Sequence, residues 1–239
     1  MIRLELNITL QCNLACTNCN RFCNIYRDRT EHMSLEQIDK FIKQAKEGGG
    51  ISALKVLGGE PLMHPQFKEI YYMLAEAGKN GIINYIKIDS NKTLPRPKLD
   101  AFPFIVWKGT IQRKKKHQPI GWSPKDLGFI RPAQPRCPQI YRCGYSLDKY
   151  GYLPCSLAIM LTRFFGLTHL YSHEFPTKSW GLDDLCPNCI FSMDAEWRAK
   201  YSCKRLCENT EEEKAPTKSF ADAIKNFNTE EFYKTQKVF

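Results

Sequence analysis

The start of the chain alternates apolar and polar residues, and the spacing then changes to that of a helix. Residues 2–10 place an apolar side chain at every second position, which predicts a strand. Over residues 34–47 apolar side chains recur every three or four positions, and Ser34 with Gln37 matches the capping box that begins many helices. Residues 52–57 then predict a second strand.

The same succession of patterns continues further along the chain. A second helix is predicted over 65–78, a third strand over 84–89 and a fourth over 104–107. Strands that are separated by helices are typical of a parallel sheet. Prolines interrupt residues 110–136, which predicts a linking or substrate-facing segment, and one last helix is predicted near 218–235.

Composition narrows the class of protein. Of the 239 residues, 43% are hydrophobic and 25% are charged, which is typical of a globular protein with one core and a small appendage. Charged residues interrupt the first strand, so it does not match a secretory signal, and no apolar run is long enough to cross a bilayer. We therefore expect a cytoplasmic protein without a membrane partner.

The net charge is strongly positive, at +10, and basic residues concentrate at 113–117. A solvated loop is the commoner meaning of such a run. The functional alternative is attraction of an anionic partner, such as a phosphorylated substrate or an acidic electron-transfer protein. Nucleic acid ranks lower, because aromatic side chains do not alternate with the basic ones.

The eleven cysteines occur in two groups. Four of them lie within residues 12–23 and seven within residues 137–207. Structural disulfides are disfavoured in the reducing cytoplasm, so metal binding is the leading explanation. Cysteines scattered through a core would not be expected to leave the long stretch between these two groups empty.

The first group has the spacing C-x3-C-x2-C, formed by Cys12, Cys16 and Cys19. Thiolates suit iron, and three closely spaced cysteines can bind three corners of a 4Fe-4S cluster while the fourth iron stays open for chemistry. A zinc site with Cys23 as its fourth ligand is the structural alternative.

A second motif stands at the end of the second predicted strand and consists of Gly58, Gly59, Glu60 and Pro61. Together with the cysteine triad it resembles the radical S-adenosylmethionine (radical SAM) superfamily. The resemblance implies that the triad binds a catalytic 4Fe-4S cluster and that this second motif binds S-adenosylmethionine. It implies cofactor binding also by the residues that end the third strand, Asp89, Ser90 and Asn91. The implied fold is α/β, a partial (β/α) barrel of the radical SAM type.

Two residues near the triad depart from the pattern of that family. Asn18 stands where the family commonly has an aromatic residue that packs near adenine. Cys23 is an additional cysteine, and a small buried residue is its commoner meaning. A role as a hydrogen-atom donor makes Cys23 the one candidate catalytic residue.

The second cysteine group resembles the auxiliary-cluster appendage called SPASM, or its shorter form called Twitch. Its members are Cys137, Cys143, Cys155, Cys186, Cys189, Cys203 and Cys207. Gly151 fits a hairpin turn ahead of Cys155, and a zinc ribbon is the structural alternative. The resemblance predicts a radical SAM partial barrel over residues 1–136 and a small cysteine-rich C-terminal auxiliary-cluster domain with a final helix over 137–239.

Two ligand assignments are open for this group. In the Twitch form, one auxiliary 4Fe-4S cluster is bound by Cys137, Cys155, Cys186 and Cys189. In the SPASM form, one cluster is bound by Cys137, Cys143, Cys155 and Cys207, and three corners of another by Cys186, Cys189 and Cys203. We expect one or two auxiliary clusters.

The resemblance implies a radical SAM oxidoreductase that cleaves S-adenosylmethionine reductively to a 5′-deoxyadenosyl radical. The positive charge and short barrel favour hydrogen abstraction from a small polar, sugar-like or anionic molecule, followed by oxidation or epimerisation. An acidic donor such as flavodoxin or ferredoxin is the expected electron source. The alternatives are a peptide- or protein-modifying maturase and, in another class, a zinc-stabilised binding protein without catalysis.

Overall fold

The computed structural model describes most of the two cysteine-bearing regions and of the predicted sheet. The described residues are 2–16, 19–23, 31–109, 121, 123–128, 137–176, 180–193 and 216–239. Outside them lie Asn18, the basic run 113–117, Cys203, Cys207 and most of the predicted linking segment. The interpretations of those residues stay predictions.

Six strands form one sheet, and four of them are the strands that the alternating pattern predicts. They are β1 (Ile2–Thr9), β2 (Ile51–Gly58), β3 (Ile86–Ser90), β4 (Ile105–Gly109), β5 (Tyr145–Asp148) and β6 (Gly151–Leu153). Their order is β4-β3-β2-β1-β5-β6, with parallel neighbours from β4 through β5. The predicted α/β class with a parallel sheet is confirmed, whereas its closure into a partial barrel stays a prediction.

The predicted hairpin at Gly151 extends this sheet. β6 returns antiparallel to β5, and β5 lies beside β1, where Ser146 is level with Glu5. A single sheet therefore runs across residue 137 and joins residues from both predicted domains. The division of the chain at that residue stays a prediction.

Six helices accompany the sheet in the described residues. They are α1 (Leu35–Glu47), α2 (Phe67–Lys79), α3 (Pro138–Cys143), α4 (Ala158–Phe164), α5 (Lys218–Asn226) and α6 (Thr229–Thr235). The predicted capping box of α1 is confirmed, because the Ser34 hydroxyl accepts from the Gln37 amide while the Gln37 side chain accepts from the Ser34 amide. None of the helices in this part of the chain has the length and apolar character that crossing a membrane requires.

Helix α2 differs from its predicted bounds at both ends. It begins at Phe67 and not at residue 65, because His64 Nδ1 accepts from the Gln66 amide at 3.0 Å and closes a turn ahead of the helix. It also continues through Gly78 to Lys79. A side chain at Gly78 would meet the ring of Phe104, so this glycine serves packing and does not end the helix.

The single C-terminal helix predicted near 218–235 is wrong, since α5 and α6 are separate helices. The backbone of Phe227 and Asn228 is extended, and the Asn228 side chain accepts from the Glu231 amide at 3.2 Å. An asparagine that caps a new helix starts a second helical axis in the middle of a continuous apolar pattern. The predicted packing on the body is confirmed by the burial of Phe220 and Phe232.

The two faces of the sheet have different chemistry. One face packs against α1 and α2 through apolar side chains, among them Leu4, Leu6, Leu54, Val56, Ile86 and Ile88. The alternate positions on β1 to β3 point to the other face and include Glu5, Asn7, Lys55, Lys87 and Asp89. Parallel strands that are covered on both faces normally read as nearly continuous apolar runs, so a polar face is the feature that positions the site.

A buried arginine joins the hairpin to the last helix. The Arg163 guanidinium lies 2.9 Å from a carboxylate oxygen of Glu31 and 2.8 Å from one of Asp148, and none of its side chain is exposed. The Tyr233 hydroxyl of α6 donates to Glu31. Because removing one member would leave an uncompensated buried charge, this cluster holds α6 against the body.

Replacing Gly78 with Ala should destabilise the protein, although Ala is the better helix former by about 1 kcal/mol. The new methyl group would press on the Phe104 ring, and overpacking of this kind costs about 1–3 kcal/mol. Thermal and denaturant unfolding measure the effect. Gly181→Ala is the matched control, since no atom lies within 4 Å of the added methyl there. A Gly78→Ala protein that unfolds at a higher temperature would contradict the proposed packing.

Candidate active site

A cavity of about 150 Å³ opens at the carboxyl ends of β1, β2 and β3. The loop that follows β1, of which residues 10–16 and 19–23 are described, contributes one wall and is called the cysteine loop below. The residues that line the cavity are Cys12, Leu14, Cys16, Cys19, Asn20, Arg21, Lys55, Leu57, Gly58, Gly59, Asp89, Ser90 and Asn91. Eight residues singled out from the sequence are thus brought to one place, because parallel strands end at the same edge of a sheet.

The two glycines at the end of β2 let the cysteine loop lie directly against that strand. The Gly59 amide donates to the Thr9 carbonyl at 2.9 Å. A Cβ atom at Gly58 would collide with the same carbonyl, and one at Gly59 would stand 2.8 Å from Cβ of Cys12. Only residues without a side chain permit this approach, so the glycine pair sets the position of the first cysteine.

Glu60 and Pro61 lie behind this wall and do not line the cavity. Both carboxylate oxygens of the fully buried Glu60 accept backbone hydrogen bonds, from Leu62 at 3.1 Å and from Asn91 at 2.6 Å. Pro61 begins a short 3₁₀ turn. Glu60 thereby joins the end of β2 to the end of β3, and a direct role in cofactor binding stays a prediction for both residues.

Asp89 and Ser90, which end β3, and Asn91, which follows it, differ in what their side chains contact. The side-chain amide of Asn91 donates from Nδ2 to Oδ1 of Asn13 at 2.9 Å, and the same nitrogen lies 3.8 Å from Sγ of Cys12. The Ser90 hydroxyl accepts from the Lys92 amide at 3.1 Å. Asp89 pairs with lysines and belongs to the charged floor of the cavity described below. Of these residues, Asn91 is the one that touches the cysteine loop.

The thiols of the cysteine loop have unequal acidity. Hydrogen bonds from the Cys23 thiol lower the pKa of Cys12 to about 7 and that of Cys19 to about 6, with a further contribution from Arg21 at Cys19. Burial raises the pKa of Cys16. The pKa of Cys23 is raised because its proton is shared with those two neighbours and because the thiol is 1% exposed. The single proton of the Cys23 thiol can therefore be donated to Cys12 or to Cys19 but not to both at once, and the Cys23 sulfur also lies 3.9 Å from the Arg21 carbonyl.

The donor set fits an iron–sulfur cluster. Cys12, Cys16 and Cys19 come from one loop and open to one cavity, which is what three corners of a cube require. In the described part of the chain, no three His, Cys, Asp or Glu side chains converge as ligands of one metal ion would. Ligands of a cubane bind different irons and stand further apart than ligands that share an ion.

Charged residues that sequence analysis did not single out form the floor of the cavity. Arg21 donates from Nη2 to Glu5 at 2.6 Å and from Nε to Asn7 at 2.7 Å. Lys55 approaches Glu5 at 2.9 Å and Asp89 at 3.3 Å. Burial alone would raise the pKa of Glu5, but the two cations outweigh it and hold that pKa below its usual value. The sequence signal that could have identified these charged residues is the presence of charge at alternate positions of a buried parallel strand.

The described members of the second cysteine group divide into two sets. Negative charge on Cys137, Cys155 or Cys186 would raise the pKa of at least one other thiol in a set that also contains Cys189. Burial is the larger cause, and it raises the pKa of Cys155 to about 12. Cys143 lies elsewhere, where burial and the Glu5 carboxylate raise its pKa. The first set consists of the four cysteines that the Twitch assignment names, and their role as ligands stays a prediction.

Residues 6–103 match the family model of the radical SAM superfamily. This stretch contains the cysteine triad, the glycine pair and the polar residues 89–91 at the end of β3. A curated relative, the S-adenosylmethionine-dependent nucleotide dehydratase of Selenomonas ruminantium, is 31% identical over 100 residues, which are 41% of this chain and 35% of the relative. The match thus spans about a third of that protein's length.

Two solved structures are similar over part of the fold. BtrN in complex with AdoMet and 2-DOIA is 14% identical, covers 78% of this chain and 92% of its own, and has a TM-score of 0.42. SuiB of Streptococcus suis bound to the precursor peptide SuiA is 18% identical, covers 39% and 19%, and has a TM-score of 0.31. Scores below 0.5 do not establish a common overall fold.

Replacing Cys23 with Ala should make Cys12 and Cys19 less acidic in the metal-free protein. The lost hydrogen bonds stabilise the thiolates, so the pKa of Cys12 should rise from about 7 towards its ordinary value of 9.0. Iodoacetamide labelling between pH 5 and about 10, read peptide by peptide by mass spectrometry, measures the midpoints. Cys186→Ala is the control and should leave both midpoints unchanged. Identical midpoints with and without Cys23 would show that it donates to neither thiol.

Proposed function

We propose that this chain is a radical SAM enzyme whose catalytic 4Fe-4S cluster is bound by Cys12, Cys16 and Cys19. The observation that carries the proposal is the opening of all three thiols to one cavity, in a stretch of chain that matches the superfamily. The glycine pair and Asn91, which adjoin the first thiol, are positioned to bind S-adenosylmethionine. A zinc-stabilised binding protein remains the alternative that the experiment below tests.

When bound, a reduced cluster and S-adenosylmethionine would together supply a 5′-deoxyadenosyl radical for hydrogen abstraction from a substrate. The chain's own residues bind and orient the reactants and exclude water. Backbone groups exposed by Gly58 and Gly59 lie close enough to the loop to bind a cofactor without a side chain intervening. An acidic flavodoxin or ferredoxin would deliver the electron, because opposite charge favours association with a chain of net charge +10.

The substrate we propose is a small anionic molecule. The cavity floor carries Arg21 and Lys55, and the relative from Selenomonas ruminantium is named for action on a nucleotide. A nucleotide is therefore the first substrate class to assay, with oxidation, epimerisation and dehydration as the products to look for. Modification of a peptide or protein stays the second hypothesis.

A single auxiliary 4Fe-4S cluster of the Twitch kind is the assignment we favour for the C-terminal region. Its support is that the charges of Cys137, Cys155 and Cys186 act on other thiols of this set, and the raised pKa values of Cys155, Cys186 and Cys189 mean that only a bound metal would keep these three deprotonated near neutral pH. Cys143 lies beside Glu5 instead. The SPASM assignment, which needs Cys143 with Cys207, is the alternative.

Anaerobic reconstitution tests the cluster and its reaction together. The protein should be brown, bind about eight iron atoms as two clusters, and release 5′-deoxyadenosine when dithionite is added. Cys16→Ala removes one corner of the catalytic cluster and should abolish that release. Cys155→Ala should lower the iron content to about four atoms and preserve some cleavage while stopping product formation.

Cys143→Ala is the matched control, because it removes a thiol outside both proposed ligand sets and should keep the full iron content. A colourless zinc protein that never cleaves S-adenosylmethionine would contradict the proposed function. Full turnover by the Cys16→Ala protein would contradict the assignment of the triad. Binding of about twelve iron atoms by the wild-type protein, with loss of about four of them in the Cys143→Ala protein, would favour the SPASM assignment.

A further inference from the structure

We propose that Arg21 and Lys55 form a binding site for an oxyanion of the substrate, a phosphate or a carboxylate, on the floor of the cavity. The proposal deepens the proposed function and rests on it for the identification of the ligand as a substrate. The residues themselves stand outside the cysteine and glycine motifs. Three observations carry the inference, namely an unpaired guanidinium nitrogen, an excess of positive charge and the depth of the pair below the rim.

Arg21 has a donor without a partner. Its side chain is 2% exposed, and Nε and Nη2 donate to Asn7 and Glu5, but Nη1 has no hydrogen-bond partner. Leaving a buried donor of a charged group unpaired is strongly unfavourable, and such groups are paired in nearly all folded proteins. Since Arg21 lines the cavity, an acceptor bound there would complete its hydrogen bonding. A planar guanidinium favours carboxylate and phosphate oxygens.

The floor carries more positive than negative charge. Arg21 and Lys55 share the single carboxylate of Glu5, and Lys55 shares Asp89 with Lys87. Three cations therefore face two carboxylates. The side chain of Lys55 is 30% exposed and also lines the cavity. Because Arg21 is buried, the unmatched charge beside it attracts an anion more strongly than it would at the surface.

The position of the pair separates it from the glycine motif. Glu5, Lys55 and Lys87 are level with one another on neighbouring strands. Lys55 precedes Gly58 by three residues on β2, which is about 10 Å along a strand. An oxyanion on the floor would thus lie well below the glycine pair at the rim. This leaves space between the two for the part of the substrate that reacts.

Calorimetric titration of the reconstituted protein with orthophosphate, and separately with acetate, tests the site. Either anion should bind, more weakly as salt is raised, and the tighter of the two identifies the oxyanion. Arg21→Gln should weaken the binding roughly tenfold or more, as expected for the loss of a charge-assisted hydrogen bond. Glu5→Gln should tighten it, because the competing carboxylate is removed while both cations remain.

Lys43→Gln is the matched control, since it removes one positive charge from an exposed pair with Asp39 and should change neither affinity. If Arg21→Gln does not fold, the double variant with Glu5→Gln and Arg21→Gln replaces it. Both side chains are then neutral and similar in size to the originals, so no buried charge is left unpaired, and this protein should also fail to bind the anion. Binding that is equal in the wild-type and Arg21→Gln proteins, or weaker in Glu5→Gln, would overturn the proposal.

Titration of the same proteins with S-adenosylmethionine separates the substrate from the cofactor. Arg21→Gln should bind S-adenosylmethionine within about twofold of the wild-type affinity. A tenfold loss there would overturn the proposal, because Arg21 would then bind the cofactor's carboxylate. Release of 5′-deoxyadenosine is measured in parallel. If the wild-type protein cleaves S-adenosylmethionine but binds neither anion, the oxyanion site is rejected and the proposed function is not. If it binds an anion but never cleaves S-adenosylmethionine, the proposed function is rejected and the oxyanion site is not.

Discussion

The carboxylate of Glu5 is buried within the sheet and is stable there only because two cations meet it. Arg21 comes from the cysteine loop and Lys55 from β2, so one ion cluster joins β1, the loop and the neighbouring strand. Breaking such a cluster leaves an uncompensated buried charge, which is strongly destabilising. The position of the cysteine loop therefore depends on this carboxylate as much as on the backbone hydrogen bonds at Gly59.

The division of the sheet into an apolar and a polar face connects stability with chemistry. The apolar face buries its side chains against α1 and α2 and supplies the hydrophobic free energy of the fold. The polar face contributes little of that energy, and its charges must be paired or meet a ligand. A fold that accepts this cost has one side of its sheet available for binding a polar molecule.

The rim of the cavity and the C-terminal region both use cysteine, but in different surroundings. The triad thiols open to a cavity and are made acidic by the Cys23 donor at two positions. The C-terminal thiols of Cys155 and Cys189 are surrounded by apolar residues, and burial raises their pKa. A triad that lines a cavity suits a cluster that reacts with a bound molecule, whereas a set packed against apolar side chains suits one that transfers electrons or holds the backbone.

The sequence by itself determined the features that depend on neighbouring residues. The capping box of α1, the alternation of β1 and the C-x3-C-x2-C spacing involve groups a few residues apart, so local geometry specifies them. Tertiary structure alone decided the ion cluster on the cavity floor, because Glu5 finds its partners 16 and 50 residues away. It also decided that Asn228 begins a new helix, since an apolar pattern records which residues are buried and not where the helix axis turns.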